Sequence, residues 1–160
     1  MKPHKTRIDL SEAARGKLVA LLNDQLANLA DLYSQTKHAH WNVKGPQFWS
    51  LHKLFDELAG KVNAQVDEIA ERLTALGGVA NGTVRQAAAG SKLAEYPAGA
   101  FAGLATVKAV ADAFGVAANA ARAGIDASDE LGDAVTADLL TGIAAELDAS
   151  LYFLEAHLAE

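Results

Sequence analysis

Residues 38–52, HAHWNVKGPQFWSLH, hold three of the chain's five histidines and both of its tryptophans. Three carboxylates follow at helical intervals: Asp56, four residues after His52, and then Asp67 and Glu71. Imidazole and carboxylate together form the donor set of iron, manganese and zinc sites. The chain has no cysteine, so disulfides, thiolate nucleophiles and thiolate-held zinc or iron–sulfur groups are excluded.

Whether these groups can act together depends on geometry. Successive residues of a helix turn by about 100°. With His52 at zero, Asp56 lies at about 40°, Asp67 at about 60° and Glu71 at about 100°. All four share one stripe. A single chain cannot bring them to one metal, because Asp56 and Asp67 are roughly 16 Å apart along the axis. Both pairs, His52 with Glu71 and Asp56 with Asp67, are centred on one point between Lys61 and Val62. A second copy packed antiparallel about a two-fold axis there would set His52 and Asp56 of one chain against Glu71 and Asp67 of the other. Two identical sites would result, shared across an isologous interface. Ala59, Gly60 and Asn63 are small enough to permit close approach near that axis.

Charge points the same way. Asp67 and Glu71 are like charges at i, i+4, which is unfavourable on an isolated helix. Neither has a Lys or Arg three or four residues away, whereas Glu68 and Arg72 are expected to pair on an outer face. A divalent metal would neutralise the inner pair. A solvated helix face presents similar residues, so spacing alone leaves both readings open.

The elements that must position these groups are helical. Alanine and leucine dominate a chain that is 51% hydrophobic and 21% charged, enough to bury a core over 160 residues. The first helix is expected from an N-cap at Ser11 to about Lys37, with Leu18, Leu22, Leu26, Leu29 and Tyr33 on one face. After the connection NVKGP a second runs from about Pro46 to Leu76 and stops at Gly77-Gly78. Residues 77–100 break the pattern. Further helices are expected over about 101–126 and 133–158. Two short connections and one long central one describe an all-α, four-helix bundle with a single crossover. Residues 1–10 read as a short tail and 11–160 as one domain.

The pattern His40-Trp41, His52-x3-Asp56, Asp67-x3-Glu71 and Gly77-Gly78 closely resembles the Dps family, the ferritin-like proteins that protect DNA in starved bacterial cells. The stretches KHAHWNVKG, FWSLHKLFDEL and DEIAERLTALGG carry the resemblance, with Tyr96-Pro97 in the crossover and TADLLTGIAAELDASLYFLEAHL at the end. It implies a ferritin-like bundle with a short extra helix in the crossover, assembled as a homo-oligomeric, twelve-subunit shell. It implies ferroxidase activity: Fe(II) is oxidised, preferably with hydrogen peroxide rather than oxygen, and stored as Fe(III) mineral. The implied iron ligands are His40, His52 and Asp56 of one subunit and Asp67 and Glu71 of its partner, with zinc as a competitor. Trp41 is implied to give up an electron during peroxide reduction; plain packing is the other reading. Trp49 reads as core or interface. His38 is not required by the pattern, and His4 and His157 get no role. Asp129, Glu130, Asp133 and Asp138 could draw Fe(II) to a pore at a three-fold axis, or simply favour a helix N-terminus.

The chain departs from the family in its tail. Only Lys2, Lys5 and Arg7 precede the first helix, and the net charge is −6. DNA binding is therefore expected to be weak or absent, with a DNA-compacting nucleoid protein as the alternative reading. A classical ferritin needs Glu-x-x-His twice, and a zinc hydrolase His-Glu-x-x-His; neither occurs. No apolar leader and no uninterrupted membrane-length run are read, so a cytoplasmic protein is expected, with nucleoid association as the alternative.

Overall fold

The computed structural model describes residues 4–159. Five helices follow in order: α1 (Glu12–Asn42), α2 (Phe48–Ala75), α3 (Val84–Gly90), α4 (Gly103–Glu130) and α5 (Ala134–Glu155). No strand occurs among the described residues, only an isolated bridge between Lys44 and Ala102. The four long helices form the bundle. The short α3 lies in the crossover against α1.

Local chemistry sets the boundaries. Ser11 caps α1 by accepting from the Ala14 amide, and Thr83 opens α3 with a capping box closed by Gln86. Gly77 ends α2 with φ +89°, a conformation favourable only to glycine, and an added Cβ would run into the His4 carbonyl. The first helix is longer than the sequence suggested. It continues through Asn42, whose side chain donates to the His38 carbonyl. His38, His40 and Trp41 therefore ride on the last turns of a regular helix. Pro46 lies before α2, in the turn that Gly45 makes at φ +112°. The fourth long helix stops at Glu155, short of residue 158.

The core runs the length of the bundle. Leu18, Leu22, Leu26 and Leu29 of α1 meet Phe55, Leu58, Val62 and Ile69 of α2, and Phe114 of α4 and Leu140 of α5 join them. Cutting Phe55 or Phe114 to alanine would cost about 3–5 kcal/mol, the range for emptying such a position. Small residues let α4 approach its neighbours: Ala117, Ala118 and Ala121 are buried, and Gly124 sits under Leu140. By length and composition α4 could cross a membrane, but more than half of that stretch is buried inside the bundle.

The described part of the N-terminal segment is docked. The His4 amide donates to the Gly77 carbonyl at 2.7 Å, and Ile8 and Leu10 pack on the core. Lys2 lies outside the described residues. The α1–α2 turn is tied to the end of the crossover, with the Lys44 amide donating to the Phe101 carbonyl at 2.8 Å.

Candidate metal centre

The last turns of α1 and the first turns of α2 face each other across the turn at Gly45. This brings His40 and His52 together, with ring centroids 3.8 Å apart and planes 21° from parallel. Nδ1 of His40 bonds to the His52 carbonyl at 2.7 Å, and Nδ1 of His52 to the His40 carbonyl at 2.9 Å. A carbonyl only accepts, so both Nδ1 atoms carry the proton. That fixes the tautomer and leaves each Nε2 with a lone pair, the arrangement found in metal-ligating histidines.

Asp56, one turn along α2 from His52, stands beside this pair. Its Oδ1 lies 3.9 Å from His40 Nε2 and 2.7 Å from Lys37 Nζ. The Lys37 hydrogen bond holds the Asp56 carboxyl below its usual range, against desolvation and helped by nearby positive charge. Lys37 escaped the sequence reading, although it shares a face of α1 with Trp41 at i, i+4. Its ammonium stands 6.0 Å from the Trp41 ring.

Asp67 and Glu71 lie further along α2, exposed, and their carboxylates have no hydrogen-bonded or ionic partner among the described residues. The chain brings together His40, His52 and Asp56, but not Asp67 and Glu71. Even these three do not close into a metal-holding group: among the described residues of one chain, no three His, Cys, Asp or Glu side chains stand close enough to hold a metal.

Several neighbours differ from expectation. Arg72 does not pair with Glu68; it reaches α5 and binds Asp133 through both carboxylate oxygens, at 2.9 and 2.7 Å. One guanidinium nitrogen, Nη2, bridging both oxygens of a buried carboxylate is stronger than an exposed i, i+4 pair. Asp133 is thus a buried cap of α5 rather than a pore acid, whereas Asp129, Glu130 and Asp138 are exposed. The Asp133-x-x-Thr136 spacing was the overlooked signal. Burial pushes the Asp133 carboxyl up, but hydrogen bonds from Thr136 and Arg72 outweigh it and hold it below its usual range.

Trp49 is 66% exposed, not core, and its ring lies 6.3 Å from that of His52, nearly parallel. Trp41 is 68% exposed, so it does not pack inside this chain. His38 turns toward the crossover, its ring edge-on to Tyr96 at 4.8 Å.

A family model for the ferritin-like domain matches residues 19–160. The DNA protection during starvation protein of Agrobacterium fabrum is 42% identical across 100% of this chain and 99% of its own length. The chain belongs to the Dps family. Among solved structures, this Dps chain matches DpsA14 from Streptomyces coelicolor with a TM-score of 0.94 at 34% identity, covering 100% of this chain and 95% of that one. It matches the Dps protein of Vibrio cholerae with a TM-score of 0.90 at 26% identity, covering 99% and 98%. That protein is described as a member of a broad superfamily of ferritin-like diiron-carboxylate proteins. The all-α, ferritin-like bundle expected from the sequence is thus the fold of this Dps chain.

Proposed function

We propose that this protein is a mini-ferritin that oxidises Fe(II), preferably with hydrogen peroxide and otherwise with oxygen, and stores the Fe(III) mineral in a hollow shell. One observation carries the reading. His40 and His52 are latched through Nδ1 with both Nε2 atoms uncommitted beside Asp56, while Asp67 and Glu71 stand unpartnered on the same helix.

Iron is the substrate. His40, His52 and Asp56 of one copy bind it with Asp67 and Glu71 of a second, about a two-fold axis between Lys61 and Val62. Imidazole and carboxylate suit Fe(II), and zinc fits the same donors as a competitor. An apolar groove of about 330 Å³ beside the site, lined by Tyr33, Lys37, Trp41, Asn63, Val66 and Val84, supports a second copy packing there. The homo-oligomer is a dodecamer built from six such dimers, located in the cytoplasm. Two Fe(II) each give one electron to one hydrogen peroxide, which takes up two protons and leaves as two waters. Where a single Fe(II) is bound, Trp41 supplies the second electron.

The test is anaerobic Fe(II) loading followed by peroxide, or oxygen in a parallel arm, read by Fe(III) absorbance. Fast oxidation in the wild type, lost in an Asp67→Ala, Glu71→Ala double variant that still assembles, supports the shared site. Equal, slow oxidation in both removes it. DNA compaction is the second reading. The docked segment from His4 onward and the net charge of −6 oppose it. A DNA complex retained in a gel shift at about 150 mM salt, where screening acts within ~8 Å, would favour it.

A further inference from the structure

The residue that follows Glu71 is gripped by another helix. Arg72 Nε donates to Thr136 Oγ1 at 2.9 Å, while Nη2 holds both oxygens of Asp133. Asp133 in turn accepts from the Thr136 amide at the N-terminus of α5. The Asp133 side chain is 4% exposed and that of Arg72 15%. Two turns back on the same side of α2, Gln65 Nε2 donates to Glu146 of α5 at 3.1 Å. These polar tethers fix the rotation of the second half of α2 against α5.

Rotation is what Asp67 and Glu71 depend on. Among the described residues nothing else holds their carboxylates, so their direction follows the helix. A side-chain oxygen about 6 Å from the axis moves roughly 2 Å when the helix turns by about 20°. Metal–ligand distances tolerate only about 0.2 Å. A small loss of rotational control would therefore take Glu71 out of bonding range.

We infer that Asp133, acting through Arg72, is a positioning residue that aims Glu71 and Asp67 at the metal. This rests on the ligand assignment proposed above. Asp133 never touches the metal; it holds the guanidinium, and the guanidinium holds the helix.

Three variants test it in the full chain, with Co(II) as the probe, read by its visible ligand-field bands and by calorimetry. Asp133→Asn keeps an acceptor for the α5 cap but loses the charge. Arg72→Lys keeps the charge but loses the fork. Gly124→Ala, whose added methyl would meet Leu140 Cδ1 at 2.9 Å, strains α4 against α5 without touching α2. Asp133→Asn and Arg72→Lys are each expected to weaken Co(II) binding about tenfold well below their melting temperatures, as loss of a ligand's supporting partner does. Combined, they should do little more than either alone, because they lie on one path. Gly124→Ala should lower the melting temperature and leave Co(II) affinity unchanged. Glu71→Ala is the reference for outright ligand loss. If Glu71→Ala abolishes binding while Asp133→Asn and Arg72→Lys bind like the wild type, the positioning role is overturned and the ligand assignment stands. If Glu71→Ala itself binds Co(II) normally, the ligand assignment fails and the positioning role falls with it.

Discussion

His40 and His52 clasp each other through the backbone: each ring donates from Nδ1 to the other's carbonyl, with the rings stacked 3.8 Å apart. Each of these hydrogen bonds ends on backbone and survives removal of the other ring, so the two side chains depend on each other only through the stack. The stability effects of His40→Ala and His52→Ala should therefore couple, by on the order of 1 kcal/mol, in a double-mutant cycle of urea denaturation. Strictly additive effects would show that the rings do not orient each other. Each single variant should lose about one ligand's share of metal affinity, because the remaining imidazole keeps its Nδ1 bond to the backbone carbonyl and loses only its stacking neighbour.

Lys37 occupies the Asp56 carboxylate that a metal would need. Lys37→Met removes that resident cation. Zn(II) and Co(II) should then bind several-fold tighter at low ionic strength, with a smaller gain at high salt, since the Asp56 carboxylate is half exposed and screened. Weaker binding would show instead that the ammonium holds Asp56 in place for the metal.

Both indoles stand at the surface near the site, Trp41 over Lys37 and Trp49 beside His52. With sub-stoichiometric Fe(II) and peroxide, Trp41→Phe should release more spin-trapped hydroxyl radical at an unchanged Fe(II) affinity. If Trp49→Phe does this and Trp41→Phe does not, the electron leaves through the indole that lies against the ligand ring.

The Asp133–Arg72 clamp gives stability an acid limb. The native carboxyl lies below its usual range, so it adds stability above the unfolded value of about 3.9, and loses it as pH falls through the native value. Asp133→Asn should cost about 3 kcal/mol at pH 7, the lower end for a broken buried pair because Arg72 keeps some exposure. The difference from wild type should be flat above about pH 5 and shrink below about pH 4. A difference that persists unchanged at pH 3 would mean that charge is not what the clamp uses.

Much of this was legible in the residues. The 3.6-residue period of leucines in α1 and the stop at Gly77 located the bundle helices, because those signals are local. The stripe of His52, Asp56, Asp67 and Glu71 on α2 was equally local. Partnerships between helices were not. Arg72 had Glu68 within helical reach, and only the approach of α5 supplied a better acceptor in Asp133. Lys37 meets Asp56 because two helices lie side by side, which spacing along either one does not encode. Trp49 read as core or interface because tryptophan usually is one or the other; its exposure, on a face of α2 that this chain leaves uncovered, removes only the first reading.

The two histidines are twelve residues apart along the chain, joined across a single reversal. Closing a loop of about that length takes roughly 10–100 ns. The imidazole half of the proposed site is thus a product of early, unimolecular folding, like other contacts of short sequence separation. In the proposed two-fold dimer the carboxylate half would arrive only by encounter with another molecule. Subunit folding is first order, while completion of the ligand set is second order, so its half-time lengthens in proportion to dilution. Newly made chains would pass through an interval, set by their own abundance, in which they are fully folded but hold only half a site.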